Sequence, residues 1–303
     1  MRTHASLSPA AMPSSLRELI GISMLSHAAI APSARAIPSL GRAAYLTVVA
    51  LVFLFMFTPL IFVLWVSVFR NEVVTFPPQG YTLRWFVNAW ANPSFLGGFL
   101  TSIQVGLFAM AAGLALGVPA SFAIVRGRFP GREALNAFLL SPLIVPGIVA
   151  GTAIYIAFVQ LELWTGMRVI ATLPGFVLAH VALTIPWTVR LVSASLVGVD
   201  RSVEEAAANL GARPLTTFRR VTLPMIRPGL VAAGIFSFIV SFTDLEMSLF
   251  LVGPGRSTLQ IAMLQYLEWK FDPTVAAVSV VQIVLIGAGL VVTDRFVKLS
   301  KVV

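Results

Sequence analysis

Along the chain, hydrophobic residues gather into six runs separated by short polar segments, at residues 43–69, 96–125, 134–159, 170–192, 229–252 and 274–294. Each run is near or above the roughly 20 apolar residues that a helix needs to cross the hydrocarbon core of a bilayer. The pattern predicts an all-α, polytopic membrane protein with about six transmembrane helices, and an even number of spans leaves both termini on one side. Prolines fall inside several runs, at Pro59, Pro119, Pro142, Pro146 and Pro186. In lipid a carbonyl freed by proline must find a partner in a neighbouring helix or in water, so these positions predict a packed bundle with kinks, arranged around a cavity.

Composition sharpens this picture. Of 303 residues, 58% are hydrophobic and 11% charged, and the mean hydropathy is +0.91, outside the range of a soluble globular domain. The absence of cysteine excludes a disulfide framework, a thiolate metal site and a cysteine nucleophile, and His4, His27 and His180 have no metal-ligand spacing. The formal charge of +9 is a matter of placement: only Arg70, Arg84, Arg168, Arg256 and Lys270 of the 21 basic residues fall on one side of the predicted spans, and 16 fall on the other. The positive-inside rule then puts both termini in the cytoplasm, and the charge reports topology, with no nucleic-acid partner implied. Residues 1–42, rich in Ser, Ala and Pro, read as a flexible cytoplasmic leader ahead of a membrane domain over 43–303. A signal peptide over Leu19–Ala31 is the rival reading, although Ser23, Ser26 and His27 interrupt its apolar run, and a true start at Met12 or Met24 is a further one.

One polar segment breaks the apolar pattern, SVEEAAANLGARPLTTFRRVTLPMIRPG at residues 202–229. Ser202 followed by Glu205 is a capping-box pattern and predicts a short helix beginning near Val203. Glu204, Glu205, Ala206, Ala207, Ala208 and Leu210 continue it, and Gly211 stands where a left-handed residue would end it. Pro214 suits the first turn of a second helix, Arg219 and Arg220 its cationic end, and Pro224 its stop. The run of alanines offers a smooth face that a partner can approach closely.

Glu205-Ala206-Ala207, three residues, Gly211, nine residues and then Val221-Thr222-Leu223-Pro224 resembles the EAA loop of inner-membrane permeases in binding-protein-dependent ABC importers, with Val221 where that family usually has Ile. The resemblance implies the type I importer permease fold, located in a bacterial inner membrane. It implies a coupling loop over 197–228, with Glu204, Glu205, Ala206, Ala207, Leu210, Gly211, Leu223 and Pro224 meeting an ATPase subunit. It also implies as partners an ATPase dimer, a second permease, identical or homologous, and an extracytoplasmic solute-binding protein. The chain itself is then no enzyme. Its lysines, Lys270, Lys298 and Lys301, follow Trp, Val and Ser, so it has no P-loop and binds no cofactor of its own, and ATP with its Mg is used by the partner subunit.

Within the fifth run, Gly234, Ser237, Ser241, Asp244 and Ser248 recur at helical spacing and predict a polar stripe. A carboxylate in the membrane costs roughly 2.5–3.5 kcal/mol on insertion scales, so Asp244 should face a cavity or a partner and is the first candidate for a solute path; a structural role at a helix or subunit interface is its rival. Glu246 points about 200° away around an unbroken helix and ranks below it. Gln104, His180, Thr184 and Trp187 are further candidates for the path, each with a bundle-packing reading beside it. Arg84, Glu268 and Asp272 are candidate outer contacts, next to aromatics whose default role is interfacial anchoring. The region SFTDLEMSLFLVGPGRSTLQIAML looks like the branch of the family that serves polyamines, with ferric iron and organophosphonates as the alternative solutes. A secondary transporter would more often show an internal repeat and need no such loop, and an intramembrane enzyme would need more clustered functional groups than His180 and Asp244 supply.

Overall fold

The structure, a computed structural model, describes residues 39–297. The predicted leader therefore lies outside the described residues except for its last four, and so do Met12 and Met24. The chain divides into two compact units, Met1–Pro59 and Leu60–Val303. In the first, the described residues form the opening part of helix α1 (Ser39–Val66), whose sequence is apolar on every side, as suits a helix surrounded by lipid or by other helices.

The second unit continues with α2 (Arg84–Ala91), α3 (Pro93–Arg126), α4 (Arg132–Leu140), α5 (Gly147–Thr165), α6 (Leu173–Val197), α7 (Arg201–Asn209), α8 (Pro214–Thr217), α9 (Leu223–Met225), α10 (Arg227–Phe242), α11 (Glu246–Leu251), α12 (Leu259–Trp269) and α13 (Thr274–Val297). Five described helices are long and apolar enough to cross a membrane, and a sixth crossing arises if the bent pair Pro214–Met225 and Arg227–Phe242 counts as one span.

The predicted spans are recovered with two corrections. Residues 134–146 do not belong to the third membrane helix: α4 and a short 3-10 turn at Ser141–Leu143 precede it, and α5 starts only at Gly147, after Pro146. Proline cannot donate an amide hydrogen, so two of them within five residues leave no continuous helix. The fifth run is likewise not one helix, since α10 ends at Phe242 and α11 begins at Glu246.

The core is a three-helix seam of α3, α6 and α10. On α3, Gly113 and Gly117 lie one turn apart and face Thr184 and Thr188 on the parallel helix α6. A Cβ at Gly113 would run into the Thr184 hydroxyl, and one at Gly117 would fall 2.6 Å from Thr188 Cγ2. Ser121 continues the row, donating to Gly117 O at 2.7 Å and reaching Val189 O on α6 at 3.4 Å. Toward α10, Gly229 of that antiparallel helix sits against Ser195 of α6, and the Thr188 hydroxyl, whose methyl faces Gly117, meets that of Ser237 at 3.2 Å. Lipid is as apolar as leucine, so membrane helices are held by close backbone approach and interhelical hydrogen bonds, and small residues permit both.

Gly117→Val is expected to wedge α3 from α6, at an overpacking cost of about 1–3 kcal/mol. The detergent-solubilised protein should lose its sharp elution peak at a lower temperature than the parent, whereas Gly287→Ala, where an added Cβ meets nothing within 4 Å, should match the parent. Equal midpoints for Gly117→Val and the parent would contradict the tight seam.

Candidate functional sites

Two places carry concentrated polar chemistry, one at each end of the seam. The first is the segment after α6. Helix α7 begins at Arg201, two residues before the predicted start, because Asp200 is the N-cap: its carboxylate accepts from the Ser202 amide at 2.9 Å. That bond, together with one from the Ser202 side chain, holds the Asp200 carboxyl below the usual carboxylate range. The capping box predicted for Ser202 and Glu205 is thus superseded by a cap two residues earlier, and Glu205 is exposed. At the other end, Gly211 adopts φ +82°. Its amide donates to Ala208 O at 2.9 Å and the Ala212 amide to Ala207 O at 3.1 Å, the paired bonds of a Schellman ending.

Pro224 does not stop the second helix as predicted. Residues Phe218–Thr222 widen into a π-turn in which the Leu223 amide bonds Phe218 O, and helical geometry continues to Met225. The chain then breaks at Ile226 and α10 leaves at 71°. The resulting α7–α9 element presents Leu210, 89% exposed, with Leu215, Glu205, Ala206 and Gly211 on its outer surface. Glu204 and Leu223 do not share that face. Leu223 packs into the apolar cluster around Val192, Leu196 and Ile226, while Glu204 turns inward to Arg126, with its Oε2 3.2 Å from the arginine Nε. Sequence reasoning missed Arg126 as a site residue, since its partner is 78 positions away.

The second place is the break between α10 and α11. Ser237, Ser241 and Ser248 are all buried, and they face α6 rather than an open passage within this protomer. His180, fully buried on α6, is about 10 Å along that helix from its start at Leu173. Its Nδ1 is 2.8 Å from Ser241 Oγ, before the break, and its Nε2 is 3.2 Å from Ser248 Oγ, after it. Asp244 Oδ2 accepts from the Ser248 amide at 3.0 Å and from its hydroxyl at 3.1 Å, and lies 3.7 Å from His180 Nε2. Ser248 spends its one proton on Asp244, so it accepts from Nε2–H, and Nδ1 accepts from Ser241. On an unbroken helix the two serines would stand about 10 Å apart along the axis, beyond the span of one imidazole with its two bonds. The break brings them to a single ring.

Asp244 keeps 11% of its side chain exposed, and Glu246 is exposed. The break removes the geometric objection to Glu246 in this region. Its carboxylate closes over Gly147, the first residue of α5, where any Cβ would collide with it. The interruptions of the third and fifth runs therefore meet. Trp187 is half-buried and stacked on Phe236, with ring centroids 5.7 Å apart, and Gln104 is exposed. Among the outer candidates, Arg84 lies over the Trp85 ring and donates to Arg70 O, Asp272 accepts from Tyr266 and the Thr274 amide, and Glu268 is exposed.

Replacing His180 by Leu removes both ring bonds and leaves the buried Ser241 hydroxyl without its partner, at a cost of about 1–3 kcal/mol, while Ser248 keeps its bond to Asp244. Hydrogen exchange of the peptide spanning 243–249 is expected to quicken while that of 184–196 keeps the parent rate. Unchanged exchange at 243–249 would show that the ring does not hold the break.

Residues 113–301 match the family described as "Binding-protein-dependent transport system inner membrane component". The putrescine transport system permease protein PotI of Escherichia coli (strain K12) is 28% identical over 243 residues, covering 80% of this chain and 86% of the relative. The spermidine/putrescine permease PotC of Haemophilus influenzae is 25% identical over 81% of this chain and 93% of its own length. A putative 2-aminoethylphosphonate permease, PhnV of Salmonella paratyphi A, is 29% identical over 86% of this chain and 96% of its own. Among solved structures, a bacterial ABC transporter that imports alginate superposes with a TM-score of 0.62 at 16% identity, covering 94% of this chain and 99% of that one, and the inward-facing methionine transporter MetNI with 0.57 at 19%, covering 69% and 96%. The fold is thus the type I importer permease fold, and the family match, spanning the three-helix seam, the exposed α7–α9 element and the broken fifth run, shows that the chain belongs to the inner-membrane components of binding-protein-dependent transport systems, as a permease subunit of an ABC importer.

Proposed function

We propose that this permease admits a cationic solute, a polyamine such as putrescine or spermidine, into the cytoplasm. The observation that carries the reading is the break in the fifth run. Asp244 lies within it, partly exposed, Glu246 follows it, exposed, and no Lys or Arg occurs between residues 229 and 252. A desolvated ammonium needs such a compensating charge, and the named substrates of the putrescine and spermidine/putrescine relatives point the same way. In this reading Asp244 and Glu246 contact the solute, Ser237, Ser241 and Ser248 form the hydrogen-bonded wall behind them, and Trp187 flanks the route.

The basic residues gather at the α7 end of the seam, which supports a cytoplasmic position for that end and for both termini. There the exposed face of Leu210, Gly211, Glu205 and Ala206 would receive a separate ATPase subunit. A dimer of such ATPases, a second permease and an extracytoplasmic binding protein complete the machine. Alternating access then follows if nucleotide and the loaded binding protein each favour a different state of the permease pair.

The test is uptake of radiolabelled putrescine into proteoliposomes holding the importer purified from its own membranes, with ATP enclosed and the binding protein outside. Uptake should require ATP and fall about tenfold in Asp244→Asn, the loss of one charge-assisted contact, with the protein still present in the membrane. Equal uptake by Asp244→Asn and parent would return Asp244 to a purely structural role. Displacement of the label by 2-aminoethylphosphonate but not by spermidine would replace the polyamine assignment with the phosphonate one.

A further inference from the structure

Helix α7 is joined to the rest of the chain by short, non-helical links that contain glycine. Before it lie Gly198, Val199 and Asp200, and after it Gly211 turns the chain in the left-handed region. A push on α7 carried only by these covalent links would be absorbed by rotation about them. The structure supplies a second, non-covalent connection. Arg126, at the last turn of α3, reaches Glu204 of α7 with Nε 3.2 Å from Oε2 and donates from Nη2 to Val199 O at 3.0 Å. Thr222, buried in the π-turn, donates to the other Glu204 oxygen at 2.9 Å. Arg201 of α7 returns a bond to Arg126 O at 2.8 Å. The rings of Phe122 on α3 and Phe218 in the π-turn meet edge to face at 5.0 Å beside this cluster. One carboxylate thus ties α7 both to the end of α3 and to the turn that leads into α10.

We propose that Arg126 is a positioning residue, which with Glu204 and Thr222 makes α7 a rigid extension of α3 and α10, so that displacement of α7 reaches the membrane helices instead of being lost in Gly198 and Gly211. The proposal rests on the reading of α7 as the surface that receives the ATPase. It divides the helix by function: Glu205, Ala206 and Leu210 face outward to the partner, and Glu204 faces inward to the lever. The pair is mostly shielded, with 18% and 20% of the two side chains exposed, so it is less screened than a surface ion pair.

The chain contains no cysteine, so two introduced cysteines label cleanly. Spin labels at Arg128→Cys and Asn209→Cys, both exposed positions, report the α3–α7 distance in the complete importer purified from membranes, with and without ATP. A single narrow distance, unchanged by nucleotide, is expected in the parent. Arg126→Gln and Glu204→Gln should each broaden it and lower ATP-driven uptake of putrescine, per ATP hydrolysed, by about fivefold or more. Their combination should cost less than the sum of the two, since both remove the Arg126–Glu204 contact, and Arg126→Lys, which keeps the charge but not the second bond to Val199 O, should fall between Arg126→Gln and the parent. Thr222→Val, which deletes one hydroxyl, carries the test if the Gln variants fail to fold. A distance that changes with ATP in the parent, or additive losses in the double variant, would overturn the rigid joint. Loss of the ATPase from Glu204→Gln but not from Arg126→Gln would also overturn it, by placing Glu204 on the docking face. Failure of the parent to bring down any ATPase would instead strike the reading on which the proposal rests.

Discussion

The close approach of α3, α6 and α10 is the constraint on which the rest of the molecule depends. In lipid, apolar side chains gain little by touching one another rather than acyl chains, so adhesion must come from backbone proximity and hydrogen bonds. Gly113, Gly117 and Gly229 give the proximity, Thr184, Thr188 and Ser195 fill the space that the glycines leave, and Ser237 adds a hydrogen bond to Thr188. This seam fixes the height of His180 against α10 at one end, and the position of Arg126 against α7 at the other.

Each end of the seam resolves a backbone problem with polar side chains. Where the fifth run breaks, Asp244 satisfies the Ser248 amide, and His180 draws Ser241 and Ser248 together across the gap. Irregular backbone at membrane depth is tolerated only where protein or water supplies such partners. At the other end the helical path turns through 71° at Ile226, and the π-turn before it brings Thr222 to Glu204. The polar break and the Arg126–Glu204 cluster thereby lie at the two ends of the same three helices.

Much of this was legible in the sequence, and the remainder was hidden for definable reasons. Hydropathy marked the membrane runs because bilayer thickness dictates their length, and the spacing from Glu205 to Pro224 marked the α7–α9 element because a glycine-ended short helix needs those residue types. The break at 243–245 was not legible: Thr243, Asp244 and Leu245 carry neither Pro nor Gly, and only the partners on α6 and within α11 make the break affordable. Asp200 displaced Ser202 as the cap because a carboxylate at that position reaches the Ser202 amide, a choice between two good caps that local sequence leaves open. The inward turn of Glu204 and the stripe Gly113, Gly117 and Ser121 depend on contacts across some 70 positions, which no local pattern encodes.

The most direct measurement is a mild-detergent purification of the tagged chain from its native membranes, comparing the parent with Leu210→Asp and identifying co-purifying polypeptides by mass spectrometry. Leu210 is 89% exposed in this protomer, so the substitution should leave the permease fold intact. The parent is expected to bring down a P-loop ATPase together with a second permease or a second copy of itself, and Leu210→Asp is expected to lose the ATPase while keeping its permease partner. A parent chain that purifies alone even after cross-linking, or an ATPase retained equally by Leu210→Asp, would contradict the assignment of the α7–α9 surface as the place where ATP hydrolysis is coupled to transport.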